Sequence, residues 1–106
     1  METIDNYLKA INLTPEDASA YYNLGVAYSN QKNYEEAISS YKKAIELNSE
    51  YASAYNNLGV AYRERSNHEK AIPAFLNSIK SNQNQKTALN NIIELLKKEN
   101  IYKPKL

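Results

Sequence analysis

The chain has no cysteine, a single histidine and only two glycines in 106 residues. Without cysteine there is no disulfide framework, no thiolate metal site and no cysteine nucleophile. Two isolated glycines cannot build a loop that cradles phosphate. The one histidine, His68, falls at a turn, and no serine, acid or cysteine is spaced to form a catalytic triad with it. Charge of one sign is lacking too: the formal net charge is +1, which provides no overall field to recruit nucleic acid or an anionic membrane surface. No apolar run approaches the roughly 18 residues of a membrane span. The N-terminal METIDNYLKAIN carries acid and amide groups where a signal peptide needs an apolar stretch. These absences exclude the common catalytic classes and leave a protein expected to use no cofactor and no metal. It is expected to have no nucleic-acid or membrane partner, and by default a cytoplasmic address.

What is present is a period. Ten of eleven residues in Ala18 to Tyr28 (ASAYYNLGVAY) recur thirty-four positions later in Ala52 to Tyr62 (ASAYNNLGVAY), and both glycines, Gly25 and Gly59, lie inside the match. A fixed period of this length means one supersecondary unit stacked on copies of itself. Helical spacing is clear in Ala20, Tyr21, Leu24, Ala27 and Tyr28, and again in Ala37, Ile38, Tyr41, Ala44 and Ile45, so each unit is a pair of helices. Asn33 followed by Glu36 fits an N-cap with its reciprocal acid, which starts a helix near Tyr34 and ends the preceding one near Gln31. Asn67 repeats the cap with Lys70 in place of the acid and is expected to be the weaker of the two. Extending the period over the chain predicts an all-α fold of six helices. They comprise a half repeat at 1–17, full repeats at 18–51 and 52–85, a terminal helix at 86–99 and a tail at 100–106 of loose order.

A glycine inside a helix costs roughly 1 kcal/mol relative to alanine, so Gly25 and Gly59 need a compensating close approach. Ala37 and Ala71 are expected opposite them, with Tyr28, Tyr41, Tyr62 and Phe75 filling the wider gaps. Six of the ten tyrosines (Tyr7, Tyr21, Tyr28, Tyr41, Tyr55 and Tyr62) take packing positions of the period, which assigns them to the core. Pro73 lies a few residues into its helix and removes a donor to Glu69. It either bends the helix or is tolerated near the first turn.

The large aromatic, Leu-Gly and Tyr spacing in Tyr21, Leu24, Gly25, Tyr28 and in Tyr55, Leu58, Gly59, Tyr62, continued by Ala37 and Tyr41 and by Ala71 and Phe75, resembles the tetratricopeptide repeat family. The closing proline of that family is matched only by Pro15, with Ser49 and Gln83 at the other two places. The resemblance covers residues 1 to about 99 and implies a short right-handed solenoid whose first helices line a concave, protein-binding groove.

Asn23, Asn57 and Asn91 are one period apart and form a ladder on the first helices beside Tyr22, Asn56 and Asn90. The resemblance puts this ladder in the groove, where an amide that both donates and accepts can pair with the backbone of an extended peptide. It is similar to the ladder in the repeat domain of O-linked N-acetylglucosamine transferase. The alternative is structural, with each asparagine bridging adjacent helices. Repeat domains that clamp the C-terminal carboxylate of heat-shock chaperones use five places on three first helices. Here only Asn57 matches, while Tyr22, Val26, Thr87 and Asn91 supply no positive charge, so that clamp is not expected. Arg63 and Lys97, one period apart beyond the ladder, are placed to pair with an acidic side chain.

The ends suggest a second class of function. The chain starts on a second helix and finishes on a first helix, with Leu89, Ile93 and Leu96 as an apolar stripe lacking a partner helix unless Ile101, Tyr102 and Leu106 fold back on it. Self-association into a dimer or a head-to-tail assembly is the alternative to peptide binding. Ile93 at the glycine position and Thr3 at the alanine position oppose seamless stacking. A third reading makes the chain a piece of a larger scaffold or enzyme.

Overall fold

The computed structural model describes residues 2–81 and 85–98, and every regular element among them is helical. The elements are α1 (Glu2–Leu13), α2 (Ala18–Asn30), α3 (Tyr34–Leu47), α4 (Ala52–Glu64), α5 (His68–Lys80) and α6 (Gln85–Lys98). The side chain of Thr3, together with Gln83, Ile101, Tyr102 and Leu106, lies outside the described residues. Each helix packs on the next in sequence, giving a helical-repeat solenoid about 57 Å long. Such a row follows from amphipathic helices too short to bury their apolar faces alone.

The helix termini are set by local chemistry. Asn33 accepts from the Glu36 amide at 3.5 Å, and Asn67 accepts from the Lys70 amide at 3.3 Å. The reciprocal bond expected from Glu36 is not made, because the Asn33 amide already donates to the Tyr28 carbonyl at 2.9 Å. The same bond joins Asn67 to Tyr62 at 2.8 Å, so Asn67 is not the weaker cap: neither cap uses an acid at the third position. These bonds close the preceding helices in the Schellman manner. Each requires a left-handed residue at the turn, and Lys32 (φ 61°) and Ser66 (φ 60°) fill that role without glycine. α5 runs unbroken through Pro73, which is exposed.

The core joins Ala37 and Tyr41 of α3, Leu58, Ala61 and Tyr62 of α4, Ala71, Ala74 and Phe75 of α5, and Ile92 and Leu95 of α6. Tyr41 and Tyr62 are buried as expected, whereas Tyr7, Tyr21, Tyr28 and Tyr55 are only half-buried. The rings come closer to the glycines than expected. A Cβ built on Gly25 would lie 2.5 Å from Tyr41 Cε1, and one on Gly59 would lie 2.5 Å from Phe75 Cε1. The atoms nearest each glycine's open side are those of the Tyr41 and Phe75 rings, and Ala37 and Ala71 on the same helices are fully buried. A flat ring covers the bare backbone more completely than a methyl group and recovers more dispersion contact.

Candidate functional site

Two kinds of helix alternate along the solenoid. α2 touches α4 and α4 touches α6, whereas α1, α3 and α5 do not touch one another. The row of first helices is therefore the tighter one and curves inward, and its free surface is the inner face of the solenoid. Along it Tyr22, Asn23, Asn56, Asn57, Arg63 and Asn91 are half-buried, while Asn90 and Lys97 are exposed.

These side chains are bonded across the helix row. Asn57 Nδ2 donates to Tyr22 Oη at 3.1 Å, linking α4 to α2. Asn91 Nδ2 donates to Asn56 Oδ1 at 2.9 Å, linking α6 to α4. Arg63 Nη1 donates to Asn91 Oδ1 at 3.4 Å. The ladder asparagines thus reach back to the residue beside the preceding asparagine, not to the asparagine itself. Asn23 heads the ladder and instead borders a cavity of about 320 Å³ between α1 and α2.

A cluster of tyrosines stiffens one end of the face. The Tyr22 ring stacks on Tyr51 with centroids 5.1 Å apart and lies 6.0 Å from Tyr41 at a tilt. Burial pushes the Tyr41 hydroxyl above its ordinary pKa, opposed by its hydrogen bond with Ser29, and burial likewise raises Tyr51. Tyr51 had no place among the sequence candidates because it precedes its helix and falls outside the matched segments. Its signal was the absence of a capping side chain where Asp17 stands one period earlier.

At the other end, Arg63, Lys97 and Lys98 surround a hollow with Glu64 and Glu94. The two cations expected to act together are therefore neighbours, although Arg63 is also engaged by Asn91 and by Glu64 at 3.8 Å. Of the apolar stripe on α6, Leu89 and Ile93 are 50% and 42% exposed. Leu96 departs from expectation: it is half-buried against the core, as befits the position one period after the buried Tyr62. His68 opens α5 at the turn. No group of three or more potential ligands for a metal ion occurs among the described residues. No described helix is long and apolar enough to cross a membrane.

Family models described as tetratricopeptide repeat match residues 18–51 and 40–72, and one described as TPR repeat matches residues 2–32. No curated protein matches the sequence. Among solved structures, the first TPR of Spaghetti (RPAP3) bound to the HSP90 peptide SRMEEVD is 25% identical, with a TM-score of 0.86 and coverage of 92% of this chain and 77% of that one. MamA is 29% identical at a TM-score of 0.73, covering 92% and 67% of the two chains. The N-terminal domain of stress-induced protein-1 (STI-1) from C. elegans is 25% identical at 0.76, covering 84% and 75%.

Proposed function

The chain belongs to the tetratricopeptide repeat family, and from that membership we propose that it is a non-catalytic module, with 18–51 and 52–85 as its repeat units, that holds an extended segment of another protein on its inner face. The observation that carries this reading is the hydrogen-bonded row of Tyr22, Asn56, Asn57 and Asn91, which fixes amide groups on α4 and α6 and ties α4 back to α2. Amides held in place lose little freedom when a ligand arrives, and preorganisation of this kind favours binding. Each asparagine carries two N–H donors and an acceptor oxygen, so Asn91 retains a donor after bonding Asn56, and Asn23 has no hydrogen bond among the described residues that would use up its capacity. The groups available along the row match the alternating N–H and C=O of a peptide backbone. The ligand is then captured with tolerance for its side chains.

A similar structure holds the peptide SRMEEVD, which makes that peptide a suitable first probe. This inner face has Tyr22, Val26, Thr87 and Asn91 where a carboxylate clamp needs cations. A peptide's terminal carboxylate therefore contributes nothing here, and acidic side chains meet Arg63 and Lys97 instead.

Titration of the isotopically labelled chain with SRMEEVD, as free acid and as C-terminal amide, and with unrelated extended peptides tests this reading. Resonances of the Asn23, Asn57 and Asn91 side chains should move, with equal affinity for acid and amide. Asn23→Ala should weaken binding without changing the melting temperature, since it has no hydrogen bond to lose among the described residues. Asn57→Ala should lower both. Peptides that perturb only α1, α3 and α5, or no residue at all, would remove the inner face as the binding surface.

A further inference from the structure

The outer side of the solenoid carries a groove in the middle of the chain. α3 and α5 do not touch one another, so α4 forms the floor between them, and α2 and α6 flank these three helices in sequence. The groove contains a hollow of about 300 Å³ floored by Leu58, Tyr62 and Ala74 and walled by Lys42, Lys70 and Pro73. The floor residues are buried and the wall residues are exposed. Tyr55, Leu58 and Tyr62 share one face of α4, while Asn56 and Asn57 of the inner face lie on the other.

One period earlier the same places are filled differently. Glu36, Ser39 and Ser40 stand where Lys70, Pro73 and Ala74 do, and Leu8 stands where Lys42 does. The later groove thus has a cation in place of an acid, two apolar groups in place of hydroxyls, and a second cation on the opposite wall. Neither Lys42 nor Lys70 has an ion pair among the described residues. Lys70 Nζ lies instead 5.9 Å from the centre of the Tyr62 ring. Glu69 is the one acid bordering the hollow, so the cations there outnumber it. Pro73 is costly where it stands, because it offers no N–H to the Glu69 carbonyl inside a 13-residue helix. The core gains nothing from an exposed proline, whereas the groove gains an apolar wall and, at Glu69, a backbone acceptor without its helical donor.

We propose that this outer groove docks an acidic segment of another protein through one aromatic side chain. The ring rests on Leu58, Tyr62 and Pro73, an apolar floor and wall that a flat side chain covers well. Lys70 already lies over one ring and can lie over a second. Carboxylates on either side of the aromatic residue meet Lys42 and Lys70, and an N–H of the segment meets the Glu69 carbonyl. Charge complementarity of this kind selects the partner by sign. The site is on the opposite face of α4 from the asparagine row, so it is independent of whether the inner face binds peptide.

Titration of the isotopically labelled chain with the blocked peptides acetyl-DEWED-amide, acetyl-DEAED-amide and acetyl-KKWKK-amide tests it. The first should bind with a Kd of about 1 mM or tighter, the range of a short peptide, and should move the resonances of Tyr55, Tyr62 and Ala74. The other two should bind at least about tenfold more weakly, for want of the ring or of the matching charge. Lys70→Glu should weaken the acidic peptide by about tenfold or more while leaving the melting temperature unchanged or higher, because an acid suits the first turn of α5. Pro73→Ala should raise the melting temperature and still weaken binding, a combination that a purely structural proline does not give. Lys42→Glu with Lys70→Glu should reverse the preference toward acetyl-KKWKK-amide. No saturable binding of acetyl-DEWED-amide, or binding that moves only Arg63, Lys97 and the asparagines, overturns the proposal. Self-association of the unaltered chain that Lys70→Glu abolishes overturns it too, because the occupant is then a second copy.

Discussion

The hairpins α2–α3 and α4–α5 share most of their first helix, yet they treat the same two positions differently. In the first, the ring on the glycine is Tyr41, and its hydroxyl lies 3.2 Å from Ser29 Oγ. In the second, the ring is Phe75, and the place of Ser29 is taken by Arg63, which turns to Asn91 on the inner face. A buried hydroxyl needs a partner, so tyrosine commits its neighbour to being small and polar. Phenylalanine makes no such demand and frees that neighbour to carry a charge toward the groove. The helix starts differ as well: Asp17 caps α2 through the Ser19 and Ala20 amides, whereas Tyr51 precedes α4 with no side-chain cap and stacks on Tyr22 instead. One unit therefore invests these positions in its own closure, and the other in contacts with its neighbours.

The largest effect expected from breaking this comparison comes at the feature both hairpins share. Gly25→Ala and Gly59→Ala should each destabilise the fold by about 1–3 kcal/mol through overpacking on the ring, although alanine favours a helix by about 1 kcal/mol. Urea denaturation gives the sign, and a stabilised variant would mean the ring moves aside freely. Pairing Gly59→Ala with Phe75→Leu should recover part of the loss, as expected for residues in contact.

Exchanging the rings sharpens the difference. Tyr41→Phe removes the Ser29 bond and should cost about 1 kcal/mol. Phe75→Tyr places a hydroxyl in a fully buried site with no serine at position 63, and should cost at least as much. Adding Arg63→Ser to Phe75→Tyr should restore stability toward that of the first hairpin, measurable as a double-mutant cycle. If the pair adds independently, the linkage between these positions is not the hydroxyl.

The two turns should respond alike. Lys32→Gly and Ser66→Gly each relieve a left-handed non-glycine residue and should raise stability by about 0.5–1 kcal/mol. Thermal melts that differ between the two would show that the turns are not energetically equivalent.

The smallest effect is at Asp17. The Ser19 hydroxyl and the Ala20 and Ser19 amides hold its carboxyl below the usual aspartate range. Its folded pKa is thus depressed, so its contribution is present above the unfolded value and is lost as pH falls through the folded one. The melting temperature should decline slightly in that acidic window, and Asp17→Asn should flatten this part of the profile while keeping the cap. Nothing equivalent is expected at Tyr51.

Much of this was legible in the residues. The starts at Tyr34 and His68 follow from Asn33 and Asn67, and the end of α2 near Gln31 follows from the same turn, because capping is settled by groups a few residues apart. The ladder could be seen as three asparagines in register on one kind of helix. Its bonding could not. The glycines announced a close contact without naming what made it, since alanine and an aromatic one turn later are both on the facing helix. The left-handed turn residues were hidden because Lys32 and Ser66 are not the residue types that such a conformation favours.

The period by itself determined the alternation of helices and their approximate lengths, because those depend on spacing along a single helix. Only the tertiary structure decided that Tyr41 and Phe75 lie on the glycines, and that the asparagines bond thirty-five residues back and not thirty-four. Those choices depend on how far one helix is shifted and rotated against the next when side chains interlock. That offset is a property of the packed pair, and a one-dimensional repeat does not contain it.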